Sequence, residues 1–253
     1  MITRPIACPA PAADTIGNCL LQRLSAPDYA LLQPHLDGWA GERDDVLHEP
    51  GKDIEFVYFP CHEAMASFRI VLGDGNIVEA GLIGREGAVG GIVSNGSMPA
   101  FSRGIVQFAG MFYRMPLAEL DRIKAESAGV RNLFSRYAEC LLAQIFQSAA
   151  CNATHSIEQR SAKWLVSALT RTKGDRVPLT QEQLGALLGV GRSYVARVLA
   201  RFRAEEIIMT RRGHLLIRDQ DRLARTACQC DDAVRAHFVK VLDGLYAKTA
   251  EEG

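Results

Sequence analysis

No apolar run in this chain approaches the roughly 18 residues that a membrane-spanning helix needs, so no membrane segment is expected. The opening stretch MITRPIACPAPAADT is rich in Pro and Ala and lacks a continuous apolar segment. No secretory signal is therefore expected, and residues 1–15 read as a flexible tail of a cytoplasmic protein. Histidine is scarce: the predicted strand-rich region holds only His48 and His62, without the His-x-His spacing of a metal-dependent barrel enzyme. No enzyme activity is expected. The seven cysteines (Cys8, Cys19, Cys61, Cys140, Cys151, Cys228, Cys230) are odd in number and scattered, the pattern of reduced thiols. Cys228-Gln229-Cys230 has no second pair at zinc spacing, and Cys61-His62 has no partner, so no metal, haem or iron-sulfur cluster is expected.

Net charge is also missing, with 29 basic and 29 acidic residues, but the balance is local. From Arg160 to Arg225 there are 14 Lys and Arg against 6 Asp and Glu, a net of +8, which leaves −8 on the remainder. A basic module on an acidic partner domain is the pattern of a nucleic-acid-binding unit attached to something that need not touch nucleic acid. With 48% hydrophobic and 23% charged residues over 253 positions, the chain can bury one large core or two smaller ones.

The most informative segment is Thr180 to Arg203, TQEQLGALLGVGRSYVARVLARFR. Thr180 and Gln183 have the spacing of a capping box, and Pro178 stops any earlier helix. Leu184, Leu187 and Leu188 form one helical stripe, and Gly189 suits a left-handed cap. A second helix starts near Arg192, with Val195, Val198, Leu199 and Phe202 on one face and Arg192, Ser193, Arg197 and Arg201 on the other. This is the shape of a helix-turn-helix, whose second helix enters the DNA major groove. The competing reading is a plain helical hairpin with a solvated basic face. The sequence from Met209 to Ile217 reads as two short strands around Gly213, a wing with Arg211, Arg212 and His214 at its tip.

Between Trp39 and Arg114, short runs such as Glu55–Phe59, Ala66–Leu72 and Gly104–Phe108 are separated by Glu49-Pro50-Gly51, Gly73-Asp74-Gly75-Asn76 and Ser94-Asn95-Gly96-Ser97, which suggests a β-sandwich or barrel. Residues 16–36 look helical, a helix begins at Met115-Pro116, and a long helix spans about Ala128 to Ala153. On that helix Leu133, Phe134, Tyr137, Cys140, Leu141, Gln144, Ile145 and Ser148 make a stripe too long for one small domain to bury, which suggests a dimer seam. A core helix beneath the barrel is the other reading. Residues after Asp221 read as a helical tail, and neither its role nor that of Cys228 and Cys230 can be assigned.

Barrel, long helix and winged helix in this order resemble the cyclic-AMP receptor protein / fumarate-nitrate regulator (Crp/Fnr) superfamily over about residues 20 to 225. TQEQLGALLGVGRSYVARVL and HSIEQRSAKWL carry the resemblance most strongly. Gly84-Arg85-Glu86-Gly87-Ala88-Val89-Gly90 and the CQCDDAVR segment look like a proteobacterial subgroup whose ligand is mostly unassigned. The resemblance implies an α+β chain with an N-terminal double-stranded β-helix (a cupin-like jelly roll), a long dimerisation helix and a C-terminal winged helix-turn-helix. The expected division is a tail at 1–15, a sensor barrel at 16–125, a dimerisation helix at 126–154, a DNA-binding domain at 155–225 and a helical tail at 226–253.

In the family an R-E-x-x-x-R pattern reads bases. Arg192 and Arg197 match its arginines, and Ser193 stands where Glu is usual, so a cytosine-reading acceptor is missing. The implied base readers are Arg192, Ser193, Tyr194 and Arg197, and the implied phosphate contacts are Thr180, Arg201, Arg211, Arg212 and His214. The arginines of the helix could instead all be phosphate clamps. The implied seam is Leu133, Tyr137, Leu141, Gln144, Ile145 and Ser148.

The family's cyclic-nucleotide pocket needs Gly-Glu and Arg-Ser pairs. Here Gly90-Gly91 and Phe101-Ser102 (or Ala100-Phe101) fall at those places, with Arg85, Glu86 and Arg103 out of register. The pocket is expected to be degenerate. The function implied is a homodimeric regulator of transcription that binds an inverted repeat in double-stranded DNA, with RNA polymerase as a further partner. A ligand- or redox-gated sensor acting mainly through protein partners is the alternative.

Overall fold

The computed structural model describes residues 16–73, 75, 77–172 and 175–243. The expected tail at 1–15, with Cys8, and the last ten residues of the expected C-terminal tail lie outside them. The expected helix at 16–36 is broken. Only α1 (Ala26–Leu32) is α-helical, capped by Ser25 and flanked by 3-10 turns at Leu21–Arg23 and Gln33–His35. Pro27 and Pro34 account for the breaks, because each can occupy only the first turn of a helix.

Seven strands follow: β1 (Asp37–Gly41), β2 (Val46–His48), β3 (Phe56–Pro60), β4 (Met65–Val71), β5 (Ile77–Ile83), β6 (Arg103–Phe108) and β7 (Gly110–Pro116). They make two antiparallel sheets, ordered β1-β7-β3 and β2-β6-β4-β5. Between the sheets pack Leu47, Tyr58, Ala66, Ile83, Val106 and Phe112. This is the predicted jelly-roll barrel; β3 and β6 are buried along nearly their whole length rather than alternating between buried and exposed.

Pro116 caps α2 (Leu117–Glu126), and Ser127 caps α3 (Ala128–Thr154), which accepts the Val130 amide on its side-chain oxygen. At 27 residues, α3 spans about 40 Å. Its first half is a core helix. Val130, Leu133, Phe134, Tyr137 and Cys140 are buried against the barrel and α2. The Tyr137 hydroxyl donates to the Ala88 carbonyl and accepts from the Ala88 amide, both at 3.0 Å. A Cβ on Gly87 would overlap that hydroxyl, so glycine is required beneath the ring.

After α4 (Ile157–Thr172) come β8 (Arg176–Val177), α5 (Gln181–Leu188), α6 (Arg192–Ala204), β9 (Ile208–Arg211), β10 (His214–Ile217), α7 (Gln220–Thr226) and α8 (Cys230–Leu242). The strands β8-β10-β9 form the wing sheet. β8 was not foreseen, because two residues are too few for any periodic signal. A second core joins α4, α5 and α6 to Met65, Leu82 and Phe108 of the barrel. Cys61, Cys140, Cys151, Cys228 and Cys230 are free and buried, whereas Cys19 is disulfide-bonded, a departure from the all-reduced expectation.

Candidate nucleic-acid interface

The turn between α5 and α6 is built from local signals. The Gln183 amide donates to Thr180 Oγ1 at 3.2 Å, and the Thr180 amide donates back to Gln183 Oε1 at 2.9 Å, which closes the capping box. Gly189 sits at φ 66°, the left-handed conformation that ends α5 at little cost only for glycine. Arg160 Nη2 caps the same end by donating to the Leu188 carbonyl at 2.8 Å. Val195, Leu199 and Phe202 bury the inner face of α6. Its outer face is left free: Arg192, Ser193, Tyr194 and Arg197 are all exposed at the N-terminal end.

The Arg197 guanidinium lies over the Tyr194 ring, 4.5 Å from its centroid. This cation–π contact holds two of the sequence-predicted base readers together before any ligand arrives. The i, i+3 spacing carries the signal for it. Arg201 is exposed but engaged, donating to Glu205 Oε1 at 2.9 Å and Glu158 Oε2 at 3.0 Å. Thr180, Arg211 and Arg212 are exposed, and Gly213 makes the wing turn at φ 78°. His214 is half-buried, with Nδ1 3.2 Å from the Arg212 carbonyl oxygen.

Among the described residues no hydrogen bond or ion pair joins the sequence-predicted effector residues Glu86 and Arg103. Glu86 is buried and accepts from Arg171 Nε at 2.8 Å and from the Gly84 amide at 3.0 Å. Arg103 is paired with Glu49 at 2.8 Å, Ser102 and Arg85 are half-buried, and Phe101 is 88% exposed. Gly91 is buried, and a Cβ on Gly90 would meet the Phe56 carbonyl at 2.7 Å. Inside the barrel Trp39 packs against Tyr58 and Phe112, with ring centroids 5.4 and 5.6 Å apart.

The expected seam residues also divide. Leu133 and Tyr137 are spent on the chain's own core, and Gln144 Nε2 donates to the Leu82 carbonyl at 3.1 Å. Leu141 and Ser148 are half-buried, and Ile145 is exposed. The apolar side chains that α3 leaves uncovered are Leu142, Ile145 and Phe146, the last 64% exposed. The sequence stripe merged two faces of a helix that serves the core at one end and is bare at the other.

The expected absence of a metal site is not upheld. Cys151, His155, Cys228 and Cys230 converge, with one ligand atom from each all within 4.8 Å of one another. Sequence reading missed this group because its halves are 77 residues apart, although Cys151 and His155 at i, i+4 were a usable signal. None of the described helices is long and apolar enough to cross a membrane.

Residues 159–226 match the model of the Crp-like helix-turn-helix domain. No curated protein sequence matches the chain. Among solved structures, a transcriptional regulator of the Crp/Fnr family from Eubacterium rectale superposes with a TM-score of 0.65 at 16% identity, over 82% of this chain and 96% of that one. FixK2 from Bradyrhizobium japonicum gives 0.65 at 14% identity, over 76% and 98%. The c-di-GMP-responsive global regulator CLP from Xanthomonas campestris gives 0.62 at 14% identity, over 76% and 99%. Residues 159–226 thus carry a match to the Crp-like helix-turn-helix domain, and the chain shares the fold of the Crp/Fnr transcriptional regulators on which it superposes.

Proposed function

We propose that this chain is a sequence-specific transcription regulator that binds an inverted repeat in duplex DNA as a homodimer. The division is a sensor barrel at 16–125, a dimerisation helix at 126–154 and a DNA-binding unit at 155–225. The observation that carries the reading is the free N-terminal face of α6: Arg192, Ser193, Tyr194 and Arg197 stand in solvent on a helix whose opposite face is locked into the core. A helix so held presents side chains to base edges with little conformational cost.

Arg192 is the strongest candidate for bidentate contact with guanine O6 and N7, because it lies at the helix start with no partner among the described ion pairs. Arg197 and Tyr194 act as a stacked unit. Thr180, Arg211 and Arg212 hold phosphates from both sides of the groove. Arg201 takes that role only by giving up Glu158 and Glu205, so it contributes less than its exposure suggests.

A second copy pairs along the bare face of α3, through Leu142, Ile145 and Phe146. Two recognition helices about 34 Å apart then meet successive major grooves. The barrel does not take a cyclic nucleotide in this reading. Glu86 and Arg103 are already paired, and the exposed Phe101 offers no cradle to a phosphate.

The test is binding to duplex DNA across a salt series with the mass of the complex measured alongside. Two chains per duplex and a log–log salt slope of about −3 or steeper are expected if Arg211 and Arg212 of both copies meet phosphates. A flat salt dependence, or one chain per duplex, contradicts the reading.

A further inference from the structure

We propose that Cys151, His155, Cys228 and Cys230 form a closed metal site for a tetrahedral divalent cation of the zinc type. Cys151 lies in the last turn of α3, and His155 is its C-cap four residues on, so both face one side of the helix end. The His155 amide donates to the Cys151 carbonyl at 3.0 Å, which closes the turn that carries them. Cys228 and Cys230 flank Gln229, the N-cap of α8.

The distances suit the chemistry. Cys151 Sγ and Cys228 Sγ are 3.6 Å apart, and so are Cys230 Sγ and His155 Nδ1. Zinc–sulfur bonds of about 2.3 Å and zinc–nitrogen bonds of about 2.0 Å, at tetrahedral angles, place neighbouring ligand atoms roughly 3.5–3.8 Å apart. Two edges of the tetrahedron are therefore already set, and since all four ligand atoms lie within 4.8 Å of one another the rest need close by no more than about 1 Å.

The surroundings favour a ligand over plain packing. The three thiols are buried and form a cluster of their own with no aliphatic or aromatic member. Gln147 Nε2 donates to Cys230 Sγ at 3.2 Å, the kind of outer bond that orients a coordinating thiolate. His155 is half-buried, and a cleft lined by Gln147, His155, Gln159 and Cys228 opens beside it, giving an ion a way in. Three sulfurs and one imidazole select zinc over magnesium or calcium. Four protein ligands leave no open position, so the ion is structural rather than catalytic.

The site ties three elements. His155 has extended backbone (φ −102°, ψ 147°) and breaks α3 from α4, the first helix of the winged unit. From the cysteines, α8 runs back along α3, with Phe238 edge-on to Tyr137 and Arg136 Nη1 donating to the Val241 carbonyl at 2.6 Å. Ser167 on α4 donates to Asp231 on α8 at 3.2 Å. A bound ion clamps the hinge between the dimer helix and the recognition helix. That consequence rests on the DNA-reading function proposed above; the metal site itself does not.

The test uses the full untagged chain from zinc-supplemented cells. About one zinc per chain is expected, and replacement by Co²⁺ should give sulfur-to-cobalt charge transfer with the intense visible bands of a tetrahedral ion. Cys151→Ser and Cys228→Ser should lose these bands, while Cys61→Ser and Cys140→Ser keep them. His155→Ala, at a half-buried position, should weaken metal affinity at least about 10-fold while the circular dichroism stays native. Several results would overturn the site: zinc well below one per chain, zinc retained in the Cys151→Ser/Cys228→Ser double variant, an iron–sulfur chromophore in its place, or a Cys151–Cys228 disulfide as the only chemistry of these thiols. All of these readouts are made without DNA. In a separate measurement, removing the metal should lower DNA affinity about 5-fold or more, and an unchanged affinity would overturn the clamp.

Discussion

The indole Nε1 of Trp164 donates a 2.7 Å hydrogen bond to Oε1 of Glu79, joining α4 of the winged unit to β5 of the barrel. Glu79 Oε2 also accepts from Ser67 at 3.0 Å. Burial pushes the Glu79 carboxyl above the usual carboxylate range, while the bonds from Trp164 and Ser67 and the charges of Arg69 and Lys163 oppose that push. A carboxyl raised on folding contributes stability that is present below its unfolded pKa and lost as pH rises through the folded one. Trp164→Phe removes a donor that favours the ionised form. The variant should therefore lose about 1–3 kcal/mol at about pH 8 and clearly less near about pH 5, read from urea unfolding. An equal loss at both would mean that the bond does not discriminate between the two forms.

The buried pair of Arg171 and Glu86, 2.8 Å apart, also ties α4 to the barrel. Arg171 Nη1 also donates to the Ser167 hydroxyl. Glu86→Ala leaves the arginine buried without its counter-charge and should cost about 3–5 kcal/mol of stability. Replacing both partners with apolar residues of similar size, Glu86→Leu with Arg171→Met, should recover most of it. Denaturant midpoints decide between the two.

On α6 and the wing, two substitutions should separate base reading from phosphate holding. Arg192→Ala is expected to cost about 1–3 kcal/mol per half-site and to relax specificity at one base pair. Arg211→Ala should weaken all sequences alike and reduce the salt slope by about 0.9 per copy. Competition binding with cognate and scrambled duplexes checks both. If Arg192→Ala weakened every sequence equally, Arg192 would be a phosphate clamp.

The bare face of α3 predicts an effect on assembly. Phe146→Glu places a charge where two copies are proposed to meet, and it should shift the chain from dimer to monomer at about micromolar concentration. The fold of each chain should change by no more than about 0.5 kcal/mol, because Phe146 is already exposed. Sedimentation equilibrium reads the mass; a dimer that survives Phe146→Glu and Leu142→Glu together would remove this face from the account.

The winged unit was the most legible part of the chain because its signals are local. Thr180 finds Gln183, and Gly189 turns the chain, within ten residues. The barrel was legible as a class from its turn punctuation. What could not be read was set by distance. Tyr137 falls on the same helical stripe as Ile145, and the barrel loop at Ala88 and Phe238 of α8, both distant in sequence, decide that one is buried and the other bare. Likewise Glu86 looked like a remnant of an effector pocket until Arg171, 85 positions on, claimed it. The cysteine and histidine cluster depends on α8 returning to the end of α3, and no sequence pattern announces that return. Arg201 read as a phosphate contact because its two carboxylates, Glu158 and Glu205, were not read as partners; only Glu205 is close in sequence.

The most direct test of the central claim is selection from a random duplex DNA pool with the full-length protein at fixed, near-physiological salt. The account predicts enrichment of an inverted repeat, with half-site centres about 10 base pairs or a multiple of that apart and a guanine in each half-site that ceases to be selected in the Arg192→Ala variant. Enrichment of a single unpaired half-site, or of no sequence by a folded, metal-replete protein in the presence of cell extract, would contradict it.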